Sequence, residues 1–134
     1  MRLAFNPKKT QSAAWNLGIQ QSQGTIIGIV SAHSTLAPDY VSNLVETIHR
    51  TGVDMVGGPT VAASTGFVAE VIALALNSPF GVGNARFHYT TKEIEVDTVF
   101  MGACYRHVYE KIGGFDEEMV RNQDDEFSYR LREN

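Results

Sequence analysis

Two groups of residues carry side chains suited to chemistry. The first is Ser31-Ala32-His33-Ser34, a polar stretch directly after the apolar run Thr25-Ile26-Ile27-Gly28-Ile29-Val30. In open parallel sheets, ligands bind outside the carboxyl ends of the strands, so hydroxyls and an imidazole there could touch a phosphate or a metal. An ordinary polar strand-to-helix loop has the same composition. The second group is acidic: Asp116-Glu117-Glu118 and Asp124-Asp125-Glu126. A carboxylate beside a substrate hydroxyl can act as a general base, and neighbouring carboxylates raise one another's pKa toward neutrality. Helix capping is the competing explanation, because acidic residues favour helix N-termini. The remaining candidates are weaker. His33, His49, His88 and His107 lack metal-ligand spacing. Cys104, three residues before His107, reads as a small core residue. Gly81-Val82-Gly83 lacks the third glycine and the preceding strand of a dinucleotide fingerprint.

The elements that must position these groups follow from periodicity and capping. Residues 11–23 read as a helix with Thr10 as N-cap and Gly24 as stop. Residues 25–30 are β-rich without alternation, which predicts a strand covered on both faces. Pro38 opens a helix with Val41, Leu44, Val45 and Ile48 at helical spacing; Asp39 lies in its first turn, His49 and Arg50 in its last, and Gly52 beyond. Residues 53–58 read as the next strand, completing a βαβ unit and predicting a parallel sheet. Residues 66–76 are mostly apolar and read as a buried core helix, and residues 77–86 as a loop. Residues 93–100 alternate and predict a strand. Residues 105–112 and those from Gln123 onward predict two short helices, the second with Phe127 and Leu131 one turn apart and a Glu126–Arg130 pair.

Composition bounds the class. The chain has 134 residues, 43% hydrophobic and 19% charged, which suits one soluble globular domain and not a disordered chain. A net charge of −4 argues against a nucleic-acid partner. One cysteine excludes an internal disulfide, and a reducing, cytoplasmic compartment is expected. The first fifteen residues lack the apolar region of a signal peptide, and no stretch reaches the ~18 apolar residues of a membrane span.

The order of short motifs is more specific than any one of them. Ala14-Trp15-Asn16-Leu17-Gly18-Ile19 leads through Gly24 into Ile29-Val30-Ser31-Ala32-His33-Ser34, followed by Pro38-Asp39-Tyr40-Val41. Val56-Gly57-Gly58-Pro59, the stretch from Asn77-Ser78-Pro79-Phe80 to Gly83-Asn84-Ala85, and Val96-Asp97-Thr98-Val99 come next. Gly102-Ala103, Lys111-Ile112-Gly113-Gly114-Phe115-Asp116-Glu117, Arg121-Asn122-Gln123-Asp124-Asp125-Glu126 and Tyr129-Arg130-Leu131 complete the series. In this order the chain resembles family 2 glycosyltransferases with the GT-A fold, and most closely their succinoglycan-type exopolysaccharide subfamily. The resemblance implies a partial GT-A, Rossmann-like mixed sheet flanked by helices. Residues 1–134 are then expected to be the C-terminal portion of such a domain, because nothing before Asn6 supplies the nucleotide-binding strand and loop.

The resemblance also implies an activity: inverting transfer of a sugar from a nucleotide-sugar to the hydroxyl of a saccharide or lipid-linked acceptor, in exopolysaccharide synthesis. Asp124 takes the place of the catalytic base, with Gln123 where the family usually has glutamate. Asp125 and Glu126 become supporting or capping groups, and Gly102 and Ala103 lie near the acceptor. Asn16, Gly18 and Ser31 fall on the donor side. His33 takes the place of a ligand to Mg²⁺ or Mn²⁺, although Ser31 stands where the family's metal motif begins with Asp, and a hydroxyl is a poor substitute on a hard cation. The full-length protein is expected in the cytoplasm, peripherally associated with the inner face of the membrane. Two alternatives remain open: a catalytically silent binding module derived from this fold, and a different α/β nucleotide-binding domain.

Overall fold

The computed structural model of the protein describes residues 2–61, 66–76, 78 and 92–134. The chain divides into two compact units, one formed by Met1–Gly57 with Asp97–Asn134 and the other by Gly58–Val96. Most of the Asn77-to-Arg86 loop, including Gly81-Val82-Gly83, lies outside the described residues, as does His88.

The first unit is built from helices α1 (Gln11–Gln21), α2 (Tyr40–Thr51), α4 (Arg106–Ile112) and α5 (Gln123–Glu133) around strands β1 (Ile26–Gly28), β2 (Met55–Val56) and β3 (Ala103–Tyr105). α2 forms where its end signals are strong. Asp39 precedes it and accepts a hydrogen bond from Asn43 Nδ2 (3.0 Å). Gly52 ends it in the left-handed region (φ 71°), its N–H donating to Ile48 O at 3.0 Å. Leu44 and Ile48, one turn apart, are its buried face. α1 stops at Gln21, short of the expected residue 23, because Ser22 turns its N–H back to Gly18 O and its hydroxyl to Ile19 O. Arg106 fastens that end to the start of α4, donating to Gly24 O (2.9 Å) and Ser22 Oγ (3.0 Å).

The sheet differs from the expected parallel one. β1 and β2 share a direction, as the βαβ order requires, but β3 lies between them and is antiparallel to both. Cys104 faces Ile27 on one side and Met55 on the other. The central strand escapes periodicity because Ala103-Cys104-Tyr105 is only three residues long and runs straight into α4, with Tyr105 as its N-cap. The strands expected over 25–30 and 53–58 shrink to three and two residues. Residues 93–100 form no strand; Val99 N–H donates instead to Ser128 Oγ (3.4 Å), so this stretch is fixed by α5.

The core of this unit is largely aromatic. Phe127 is fully buried, its ring 4.7 Å from that of Phe115 and 5.2 Å from that of Tyr109. Trp15 meets the edge of Phe115 at 4.8 Å. Ile27, Cys104 and Val108 complete the cluster, with Ile19, Ile112 and Leu131 against it. The second unit contains α3 (Phe67–Leu76). Its residues read as core in sequence, yet Phe67, Val68, Val71, Ile72 and Leu74 are exposed and only Ala73 is buried among those described. Apolar composition reports the tendency to be covered; it does not supply the covering partner.

Phe127 is contributed by α5 and packs on residues from α4 and the turn before α5, so its loss opens a cavity between them. Phe127→Ala is expected to cost about 3–5 kcal/mol. That is a large share of the ~5–15 kcal/mol typical of a domain, and urea unfolding followed by circular dichroism will measure it.

Candidate active site

The loop after β1 is anchored by one residue. Ile29 N–H donates to Gly102 O (3.1 Å), carrying the β1–β3 pairing to the edge of the loop. Beyond it, Met101 sulfur accepts the Ser31 N–H (3.2 Å) and the Ser34 hydroxyl (3.7 Å), and the Met101 carbonyl accepts the Tyr40 hydroxyl (3.0 Å). Met101 has φ 50°, a left-handed backbone that is uncommon for a non-glycine residue. Inside the loop, Ser31 Oγ and His33 Nδ1 share a hydrogen bond of 2.6 Å, and Ser34 N–H closes a turn on Ser31 O (3.1 Å).

Gly102 and Ala103 are both buried. A Cβ on Gly102 would fall 2.5 Å from Val56 O and against Val99 Cγ1, and one on Gly57 would meet the same methyl. The small residues at Gly57 and Gly102 therefore let β2, β3 and the 97–102 segment approach one another closely. That segment continues to α5 through Ser128, which accepts hydrogen bonds from Thr98 Oγ1 and Val99 N–H, both at 3.4 Å. A continuous set of contacts thus connects the 31–34 loop, through Met101 and Val99, to the helix that carries Asp124.

The acidic cluster separates by partner. Glu117 binds Lys8 Nζ (2.6 Å) and Asn16 Nδ2 (2.9 Å), which hold its carboxyl below the usual range. Glu126 is paired with Arg130. Asp116 accepts the N–H of Glu118 (2.9 Å) within its own turn. Asp125 is exposed. Asp124, half-buried in the first turn of α5, is different: burial pushes its carboxyl above the ordinary value, and the Asp125 charge adds to this. Its own N–H and that of Asp125 pull the other way. Asn122, in the left-handed region (φ 60°), caps the start of α5, and next to Asp124 the buried Gln123 donates to Met119 O at 3.3 Å.

Asn16 is drawn to the turn before α5. Its amide exchanges two hydrogen bonds with the main chain of Phe115, both 2.8 Å, besides the one to Glu117. Gly18 on the same helix is exposed and faces open space. Cys104 is fully buried, and desolvation pushes its thiol up to about 12, which fits a core residue and not a nucleophile. Met101, Ser128 and the backbone contacts of Arg130 had no signature in sequence; only the Glu126–Arg130 spacing hinted at the last.

The fold and these contacts agree with comparison to known proteins. The Glycosyl transferase family 2 model matches residues 1–113, and the chain belongs to that family. The mixed α/β fold, with its small antiparallel sheet and helices, is consistent with a partial GT-A arrangement. A relative from Methanococcus voltae, a dolichyl N-acetyl-alpha-D-glucosaminyl phosphate 3-beta-D-2,3-diacetamido-2,3-dideoxy-beta-D-glucuronosyltransferase, is 27% identical over 137 residues, covering 98% of this chain. The chain spans 42% of that relative's length. No solved structure matches it. No helix among the described residues is long and apolar enough to cross a membrane.

The divalent cation common in this family does not fit the residues of the loop. Ser31 offers a hydroxyl already bonded to His33, and the described residues contain no group of three His, Cys, Asp or Glu side chains able to hold an ion. Hard cations need several oxygen ligands, carboxylates above all. Ser31→Asp is expected to raise Mn²⁺ affinity by about tenfold or more, roughly 1.4 kcal/mol, in calorimetric titration. An unchanged affinity would place the metal motif elsewhere.

A second expectation concerns Asp124. Its carboxyl binds a proton more tightly in the folded chain than in the unfolded one, so ionising it costs stability. That cost is absent below the unfolded value near 3.8 and grows as pH rises through the raised folded value. Asp124→Asn removes this term. The stability of the variant relative to the parent should therefore climb across that window and then level off, as read from denaturant midpoints at a series of pH values.

Proposed function

We propose that this chain takes part in inverting sugar transfer from a nucleotide-sugar to an acceptor hydroxyl, with Asp124 as the base. The observation that carries this reading is the environment of Asp124. Asp124 is half-buried in the first turn of α5 without a cationic partner among the described ion pairs, and burial raises its proton affinity, while Glu117 and Glu126 are paired with Lys8 and Arg130. A base of raised pKa accepts a proton more readily at neutral pH. In the proposed step, the acceptor oxygen attacks the anomeric carbon, its proton passes to Asp124, and the bond from that carbon to the diphosphate oxygen breaks with inversion. Ser31, His33 and Gly18 lie on the donor side. Gln123 and Asp125 lie on the acceptor side, with Glu126 holding Arg130, while the buried Gly102 and Ala103, expected near the acceptor, pack against Val56 and Val99 instead.

The relative acts, by its name, on a dolichyl-phosphate-linked sugar, and this supports a saccharide on a lipid phosphate as acceptor. The succinoglycan-type motif order supports a role in exopolysaccharide synthesis at the cytoplasmic face of the membrane. A second reading, a silent binding module, is favoured by the poor metal-ligand set at Ser31 and His33.

Transfer assayed with radiolabelled nucleotide-sugars and lipid-linked or soluble saccharide acceptors separates the two. Asp124→Asn is expected to lower kcat by about 10²–10⁴-fold, the usual worth of a positioned general base. Turnover at the parental rate in that variant would remove Asp124 from the base position. Nucleotide-sugar binding without transfer under any of these conditions would favour the silent module.

A further inference from the structure

We propose that Asn16 is a positioning residue for α5 and hence for Asp124, and not a contact to the sugar donor. The functional meaning of this proposal rests on Asp124 being the base; the mechanical coupling does not. An amide side chain has two N–H donors and an oxygen with two lone pairs. Asn16 spends three of these four positions inside the protein. Its Nδ2 donates to Phe115 O (2.8 Å) and Glu117 Oε1 (2.9 Å), and its Oδ1 accepts the Phe115 N–H (2.8 Å). The exchange of two bonds with one residue's main chain fixes both position and orientation of that peptide, as a paired strand would.

Two further observations show that the turn is built around this amide. A Cβ on Gly114 would fall 3.0 Å from Asn16 Cγ and closer still to its Oδ1, so the turn approaches Asn16 as only glycine permits. The Trp15 ring, next to Asn16 on α1, meets the Phe115 ring at 4.8 Å, so backbone and side chain of Phe115 are both held by the same helix.

The second grip comes from α5. Arg130 donates to Ile112 O and to Gly114 O (2.7 Å) while paired with Glu126, and its guanidinium lies 5.5 Å from the centroid of the Phe127 ring. Gly114 and Phe115 are consecutive, one gripped by α5 and the other by α1. The placement of α5 relative to α1 therefore passes through this peptide unit, and through the Met119 carbonyl, which accepts from Ser12 on α1 (3.4 Å) and Gln123 on α5 (3.3 Å). Asp124 lies on α5 less than two turns before Arg130, with Glu126 between them. If Phe115 loses its partner on α1, Gly114 is free to move with Arg130, and the first turn of α5 moves with it.

The test compares Asn16→Ala with the parent chain by NMR, calorimetry and kinetics. The proposal expects amide shifts at residues 114–117 and also at 123–126, with displacement of the Asp124 carboxyl ¹³C resonance. Affinity for UDP is expected to stay within about twofold, and kcat to fall about 10- to 100-fold at unchanged donor KM, as for a misplaced catalytic group. Asn16→Asp keeps the acceptor for Phe115 N–H but sets a carboxylate against Glu117 Oε1 and the Phe115 carbonyl, so it should displace the same residues at least as far; Asn16→Ser, which removes less of the side chain, serves if the alanine variant fails to fold. Shifts that stop at residue 117, with the Asp124 resonance unmoved, overturn the proposal. So does a tenfold loss of UDP affinity, which would make Asn16 a donor contact. Normal turnover of Asp124→Asn would instead overturn the base assignment and leave the NMR result to decide the coupling.

Discussion

Phe115 is the residue through which the first unit holds together. Its main chain is bonded to Asn16 on α1, and its ring lies between Trp15 and Phe127. The carbonyl of the preceding residue, Gly114, accepts a hydrogen bond from Arg130 on α5. Backbone hydrogen bonding and aromatic packing meet at this one position, and the combination has a cost: both flanking helices must be in place before the full set of contacts is made. Such a network is cooperative, because each contact presents the next in the correct geometry. The three-stranded sheet, with strands of two or three residues, has too little paired backbone to fix helix positions alone.

A second constraint is the crowding at Gly57, Gly102 and Val99. Absence of Cβ atoms at the two glycines lets the 97–102 segment lie against β2, and this presents Met101 to the 31–34 loop. Small residues at 102 and 103 look, in sequence, like room left for a substrate. In the fold the space at Gly102 is filled by the chain's own Val56 and Val99. The sulfur of Met101 is polarisable and tolerant of donor geometry, which suits a single atom asked to collect two hydrogen bonds from a turn.

The helices were legible from sequence because their ends carry chemistry: Gly52 after α2, Gly113 after α4 and the acidic first turn of α5. The mixed α/β class was legible for the same reason. The direction of the sheet was not, since the βαβ rule constrains β1 and β2 but is silent about a later strand inserted between them. Ala103-Cys104-Tyr105 is too short for periodicity to register, and residues 93–100 alternate without pairing. At the site, the types of residue were visible and their partners were not. Asn16 looked like a donor contact through its place in a motif, but its partners lie about a hundred positions away in the chain, beyond the reach of local pattern. Glu126 and Arg130 were an exception because an i,i+4 pair is local.

The acidic cluster also shows why composition alone could not decide between capping and catalysis. Both descriptions apply to α5. Its N-terminal amides favour negative charge, and those of Asp124 and Asp125 lower the proton affinity of the Asp124 carboxyl. Burial and the Asp125 charge oppose them, and the net direction is upward. A residue kept only as a cap gains nothing from being half-buried, since exposure would let water share its charge. Holding Asp124 where ionisation costs stability therefore needs a rigid surround, and the Phe115–Arg130–Glu126 arrangement provides one by fixing α5 just behind it. Asparagine at this position would be relieved of that cost, so the carboxyl at 124 is held against a local stability penalty that capping alone does not require.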